Sequence, residues 1–384
     1  MSAAEISSEA NVVVDVDLSA LRWNFRTIAA AARPARVAAV VKADAYGLSA
    51  ALVAPALAAC GCGDFFVADP GEARRLRPLL SQDARIYVLG GLPPGHGAAL
   101  ADLGVLPVLN SRAQIDEWAA LARARGERLA AAVQADSGMS RLGLSPEEVQ
   151  ALADAPEAFD GVEISLVMSH LACADEAEHA ANLQQLARFE ALAGRLPSAP
   201  RAIANSSAAF LGQRYRGDLV RAGLGLYGGD LGAHAPPMRP VVGVRARVLQ
   251  TRTVPDGAGV GYGLAHRTRG ERRLATVGIG YADGWPRCLT GGGALFAGPH
   301  RAPIMGRVSM DSTIVDITGL PDDAVQEGGW LEAIGPRQPL EAVAAAAGTI
   351  AYELLTQLSR RAHRTVHDIT GASRGAPGRR VACA

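Results

Sequence analysis

Apolar residues in the first two-thirds of the chain come in short runs, and the runs recur. Val37–Val41, Phe65–Ala68, Ile86–Leu89, Val105–Leu109, Leu129–Val133, Ile164–Met168, Arg201–Ala204 and Leu219–Val220 have strand length. Most are separated by segments of helical spacing such as Ala50–Ala59, Ala113–Ala124 and Ala177–Leu192. Ahead of them, after a strand-like Val12–Val14, the segment Leu18–Ala32 sets Leu18, Leu21, Phe25 and Ile28 near helical spacing, with Pro34 as a stop. Eight strand-then-helix units predict an α/β fold with an N-terminal (β/α)8 barrel. A doubly wound open sheet is the rival, and the count of eight favours the barrel.

From about Pro240 the rhythm changes. Val241–Thr253, Arg273–Gly280, Ile304–Gly306 and Ser309–Ile317 alternate or are β-branched, and turns such as Pro255-Asp256-Gly257 and Gly291-Gly292-Gly293 join them. These features predict a mainly β C-terminal domain, interrupted by one helical patch over Leu340–Leu355. The boundary falls at 240, giving a barrel over residues 1–240 and a β domain over 241–384, with a glycine- and arginine-rich tail from about 371 expected to be flexible.

A length of 384 residues agrees with two domains. Lys+Arg and Asp+Glu balance at 38 each, so no net field draws nucleic acid or an anionic membrane. Cys60, Cys62, Cys173, Cys288 and Cys383 are odd in number and scattered, which fits reduced thiols; no Cys/His set lies at zinc spacing, and no metal is expected. The amino terminus shows no cationic apolar leader and no run approaches a membrane span, so the expected location is the cytoplasm.

Polar residues stand where runs end. Lys42, Asp136, His170, Asn205-Ser206 and Arg221 close five different runs, and a barrel gathers such tips on one face. Each has a structural alternative: a solvated lysine, a helix cap at Asp136 or Ser206, a core histidine, a surface ion pair. Five converging tips favour one pocket. A partly desolvated lysine there loses its proton more readily, and its amine can join a carbonyl or pyridoxal phosphate. Ser206 and the stretch Gly223-Leu224-Gly225 could cradle a phosphate. In the last third, Val260-Gly261-Tyr262-Gly263, the stretch Gly280 to Arg287 and Arg307-Val308-Ser309-Met310-Asp311 place tyrosines and charges beside glycines. These are either turn chemistry or groups offered to a barrel mouth.

The ordered motifs VVKADAYG, DSGMSRLGL, MSHLACADE, ANSSA, VRAGLGLYG, VGYG, GIGYADGWPR, GRVSMD and TIAYE resemble those of the alanine racemases of fold type III, from about Val13 to Arg364. The resemblance implies a pyridoxal 5'-phosphate enzyme that interconverts L- and D-alanine, a supplier of D-alanine for peptidoglycan, acting as a homodimer with shared active sites. It implies that Lys42 holds the cofactor and is one acid/base. Tyr46, Ser206, the amides of Gly223 and Leu224, and Tyr352 would bind the phosphate, with Asn205 beside them. Arg221 would face the pyridine nitrogen and Arg141 the ring hydroxyl. Tyr262 of the partner subunit would be the second acid/base, with His170 orienting the network. Met310 and Asp311, also from the partner, would frame the substrate, and Tyr281, Arg287 and Arg307 would shape the entrance.

Two positions depart from the pattern. Gln134 stands where many members carry a carbamylated lysine that holds the arginine equivalent to Arg141. Either its amide oxygen or a bound anion such as chloride is expected to take that role. Leu48 replaces a histidine, with local adjustment expected. The alternatives to racemisation are a related amino-acid decarboxylase and a non-catalytic pyridoxal-phosphate carrier.

Overall fold

The computed structural model describes residues 9–368 and 380–382. Among the described residues the first strand is β1, Val12–Asp17, and it turns at once into helix α1, Leu18–Ala32. Asp17 makes the transition: its carboxylate accepts from the N–H groups of Ser19 and Ala20 at 2.8 and 2.9 Å, capping the helix. Leu18, Leu21, Phe25 and Ile28 form the buried face, as their spacing predicts.

The barrel follows. Its strands are β2 (Arg36–Val40), β3 (Asp64–Val67), β4 (Arg85–Val88), β5 (Leu106–Leu109), β6 (Leu129–Gln134), β7 (Val162–Met168), β8 (Arg201–Ala202) and β9 (Leu219–Ala222). All are parallel, in the order β8-β7-β6-β5-β4-β3-β2-β9. The remaining seam between β8 and β9 is bridged by backbone bonds from Asp218 N–H to Arg201 O and from Arg221 N–H to Ala204 O, at 2.8 and 3.0 Å, so the barrel nearly closes. At its amino-terminal rim the buried Asp64 takes Arg36 and Arg85 on its two oxygens, at 2.6 and 2.7 Å, which ties β2, β3 and β4 together.

The β domain is organised by β10, Val242–Val254, a 13-residue strand whose first half pairs with β1 and whose second half pairs with another partner. In order come β11 (Gly259–Val260), β12 (His266–Arg267), β13 (Arg272–Val277), β14 (Ala294–Ala297), β15 (His300–Pro303), β16 (Thr313–Asp316), β17 (Trp330–Ile334), β18 (His363–His367) and β19 (Arg380–Ala382). The main path runs β15-β14-β17-β10-β1-β18-β19, and β13 joins β10 to β16.

Four expectations are corrected. The boundary at 240 assigned the first strand to the barrel; β1 instead lies in the β-domain sheet, antiparallel to β10 and parallel to β18, because its alternating valines fill a gap between those strands. The strand over Ile304–Gly306 ends at Pro303, and only Ile304 bridges Val315. The helical patch Leu340–Leu355 is two helices, Leu340–Ala347 and Ala351–Gln357, broken where Gly348 takes φ 66°. The helix expected from Ser206 is a single 3-10 turn, Ala208–Phe210. The tail expected to be flexible lies outside the described residues, apart from the backbone of β19. Among the described residues no helix is long and apolar enough to cross a membrane.

Candidate active site

Lys42 stands two residues past the end of β2. After it the chain makes a left-handed turn: Ala43, Asp44, Ala45 and Tyr46 have φ between 53° and 55°. For L-residues this conformation costs roughly 1–2 kcal/mol each, so the surroundings must hold it. Gly47 ends the turn at φ 81°, packed so closely on the β domain that a Cβ there would lie 2.3 Å from the Leu355 carbonyl oxygen. The Arg364 guanidinium donates to the Gly47 carbonyl at 2.8 Å. The β domain thus sets the turn that carries the lysine.

Around Lys42 stand the other strand tips. Burial and the charge of Arg141 lower the Lys42 pKa; Glu72 opposes this and Arg221 adds to it. Arg221 is buried and donates to the carbonyls of Ala202 and Ser169 at 2.8 and 2.5 Å. Its Nη2 lies 3.1 Å from His170 Nδ1. Burial, then Arg141, brings Arg221 down to about 10. Burial, then Arg221, Arg141 and Lys42, pushes His170 down to about 3, so its imidazole is neutral at physiological pH and can accept at Nδ1. Asp136 does not cap a helix: its carboxylate accepts from Gly138, Met139 and Ser140 N–H groups and shapes the loop that leads to Arg141.

A cradle lies on the other side of Lys42. Tyr46 packs on Tyr227, ring centroids 4.6 Å apart, and faces Tyr352 at 5.9 Å, while Tyr227 donates to the Val40 carbonyl at 2.9 Å. Ser206 Oγ accepts from the amides of Gly223 and Gly225, at 2.8 and 3.3 Å. Asn205 Oδ1 accepts from Ala208 N–H at 3.0 Å. Gly223 is required by space, since a Cβ there would sit 2.6 Å from the Tyr46 hydroxyl. Leu224, buried, starts the 3-10 turn Leu224–Tyr227. Burial, then Tyr352, raises the Tyr46 pKa, so its phenol keeps its proton for donation. Tyr352 comes from helix Ala351–Gln357 and lines the same cleft as Lys42 and Tyr46. Phenols, a hydroxyl, backbone amides and a nearby amine suit an anionic phosphate attached to an aldehyde.

The structure therefore brings together Lys42, Tyr46, Arg141, His170, Asn205, Ser206, Arg221, Gly223, Leu224 and Tyr352. Tyr262, Tyr281, Arg287, Arg307, Met310 and Asp311 form a second group on the β domain. Tyr262 is 70% exposed and Met310 53%. Asp311 pairs with Arg361 at 2.7 Å, and Arg361 in turn holds the buried Asp283. Among the described residues no hydrogen bond, ion pair or ring contact ties Tyr262, Met310 or Asp311 to Lys42. The expectation that the Gln134 oxygen holds Arg141 is not met: the Gln134 amide is buried and donates to the Leu142 carbonyl at 2.9 Å, and among the described residues no hydrogen bond joins it to the exposed Arg141. Leu48 is fully buried.

One signal was open to counting. Of the 38 Lys+Arg residues, 37 are arginine, and Lys42 is the only lysine in the chain. Arginine supplies positive charge everywhere else, and only this position keeps an amine that can lose its proton and act as a nucleophile.

Barrel, β domain and strand-tip lysine fit the class of barrel enzymes that hold a carbonyl cofactor on a lysine. The model of the alanine racemase N-terminal domain matches residues 16–230, and that of the C-terminal domain matches 241–366. The catabolic alanine racemase of Agrobacterium fabrum is 51% identical over 91% of this chain and 90% of its own length. The alanine racemase of Brucella ovis is 48% identical over 94% of each. A crystal structure of alanine racemase from Bartonella henselae with covalently bound pyridoxal phosphate superposes with a TM-score of 0.90 at 43% identity, over 93% of this chain and 99% of that one. The chain belongs to the alanine racemase family and is a racemase enzyme, which leaves the decarboxylase and carrier alternatives without support.

Proposed function

We propose that the enzyme carries pyridoxal 5'-phosphate on Lys42 and interconverts L- and D-alanine with two bases, Lys42 and Tyr262 of the partner subunit. The observation that carries this reading is the placement of the sole lysine beside a cradle of phenols, a hydroxyl and backbone amides, while Tyr262 is exposed and makes no side-chain hydrogen bond or ring contact among the described residues. The cofactor supplies an electron sink that lets the Cα proton leave.

The chain's residues do the rest. The phenols of Tyr46 and Tyr352, the Ser206 hydroxyl and the amides of Gly223 and Leu224 hold the phosphate, with Asn205 fixing the turn beside them. Arg221 would donate to the ring nitrogen and, as a guanidinium, would not surrender its proton to it at working pH. Neutral His170, held by Arg221, orients the network toward Tyr262. Arg141 faces the ring hydroxyl, and an anion such as chloride between it and Gln134 completes its setting. Removing a proton from one face of Cα and returning one to the other needs two groups on opposite sides, and Lys42 Nζ and the Tyr262 hydroxyl supply them. Met310 and Asp311 frame the methyl-sized substrate, and Tyr281, Arg287 and Arg307 line its approach. Two copies of the chain are then obligatory. The exposed Tyr262, Leu264, Tyr281 and Met310 on one domain and Ile350 and Tyr352 near the barrel mouth fit surfaces that a second copy covers.

The proposed setting is the cytoplasm, with D-alanine made for peptidoglycan. A deletion strain that needs D-alanine to grow supports this use; one that fails only on alanine as carbon source points to catabolism.

The mechanism is tested by Cα deuterium exchange in heavy water with chiral analysis. Tyr262→Phe should exchange one enantiomer through Lys42 without inverting it. Full racemisation by that variant, or constant specific activity on dilution to a proven monomer, would sink the two-base reading.

A further inference from the structure

Glu72 is half-buried at the third position of helix Pro70–Leu76. A glutamate at this position commonly reaches back to the N–H of its own helix cap. Here only the other half of that arrangement forms: the Asp69 carboxylate accepts from Glu72 N–H at 2.9 Å. The Glu72 carboxylate is directed elsewhere. One oxygen accepts from Ala43 N–H and the other from Ala68 N–H, both at 2.7 Å. Ala68 follows β3, and Ala43 follows Lys42 at the end of β2. The side chain therefore joins the carboxyl ends of two barrel strands and grips the first residue of the left-handed turn.

We propose that Glu72 is a positioning residue for Lys42, its carboxylate bridging Ala43 N–H and Ala68 N–H to hold the left-handed turn and so fix where the lysine amine stands. This rests on Lys42 being the cofactor lysine. A glutamine cannot replace the bridge. Its amide has one acceptor oxygen, and its NH2 would confront an N–H. An aspartate keeps the charge but is one methylene too short to reach both amides. Four consecutive residues at φ 53–55° do not hold themselves, and the Gly47 contacts secure only the far end of the turn. Glu72 secures the near end.

Because the chain has one lysine, amine reagents read Lys42 directly. The test uses the dimeric apoenzyme and holoenzyme. Acetic anhydride labelling of the apoenzyme across pH, scored by mass spectrometry on the Lys42 peptide, gives the titration of that amine. The groups facing it are Arg141, Arg221, His170, Tyr46, Tyr352, Glu353 and Glu72. Glu72→Gln should move the Lys42 titration to lower pH, because the Glu72 carboxylate, whose charge favours the ammonium form, is gone. It should also reduce kcat by about 10- to 100-fold, the scale of a misplaced catalytic group, with the thermal midpoint little changed. Glu72→Asp should lose kcat similarly. Ala43→Gly should rescue part of the Glu72→Gln loss, since glycine enters the left-handed region without strain. Either variant with wild-type kcat, or a loss that Ala43→Gly does not relieve, would overturn the proposal. If Glu72→Gln does not fold, the aspartate variant decides alone. Lys42→Ala separates the two readings. If it still binds the cofactor covalently, the assignment of Lys42 fails; if it does not, and the Glu72 variants are silent, only the present inference fails.

Discussion

Replacing Gly223 by alanine tests the phosphate cradle in one step. The new Cβ would lie 2.6 Å from the Tyr46 hydroxyl and 3.5 Å from its Cζ. Ordinary contact begins at 3.4 Å, so the hydroxyl must retreat by about 0.8 Å (3.4 − 2.6). A free tyrosine would swing aside at little cost. Tyr46 is not free: its ring packs on Tyr227, which is itself fixed by its bond to Val40, and Tyr352 closes the other side. A shift of that size takes a phenol out of hydrogen-bond range of an anion it was placed to meet. Bonds to charged groups contribute about 1.5–3 kcal/mol net. The variant should bind pyridoxal phosphate about 10- to 150-fold more weakly. The assay is a fluorescence titration of apoenzyme with cofactor, with thermal unfolding of the apoenzyme as the control for general damage. Affinity within threefold of wild type, at unchanged stability, would show that Tyr46 does not hold the phosphate.

Other perturbations follow from the same geometry. Gly47→Ala adds a left-handed alanine, costing about 1–2 kcal/mol, and a Cβ at 2.3 Å from Leu355 O; urea unfolding should show a loss of at least that size, and an unchanged midpoint would refute it. Asp64→Asn leaves Arg36 and Arg85 without their shared carboxylate, but both guanidiniums reach water, so the expected loss is about 1–3 kcal/mol, with kcat unchanged because this rim faces away from Lys42. For His170 the folded pKa of about 3 lies below the ordinary 6.5, so between those values the unfolded chain binds the extra proton. Stability from this group is complete above pH 6.5 and declines as the pH falls toward 3, by up to about 1.4 kcal/mol per pH unit. His170→Gln should flatten that slope in urea titrations run from pH 7 to 4, and an equal slope in both proteins would contradict the placement.

The barrel was legible because most of its parallel strands are buried on both faces and read as short, largely apolar runs, as in Asp64–Val67 and Leu106–Leu109. Strand-tip chemistry followed from the same rule. The β domain was harder. Ala294–Ala297 and Trp330–Ile334 mix small, aromatic and charged residues, and their strand character comes from pairing with each other and with β10 rather than from local preference. The left-handed turn after Lys42 was invisible: Lys-Ala-Asp-Ala-Tyr favours an ordinary helix, and only contacts from Glu72, Leu355 and Arg364 impose the other hand. Glu72 was missed for that reason, being 29 residues from the start of the turn it serves. Domain assignment failed at β1 because Val12–Asp17 shows what it buries but not which sheet receives it.

That first strand has a consequence for biosynthesis. One of its neighbours, β10, leaves the ribosome more than two hundred residues later, and the other, β18, more than three hundred residues later. Until both have emerged, the nascent barrel carries a naked hydrophobic ribbon, open along both edges. Whatever shields Val12–Asp17 during that interval, chaperone or transient self-contact, guards the step at which the newborn chain is most exposed to aggregation.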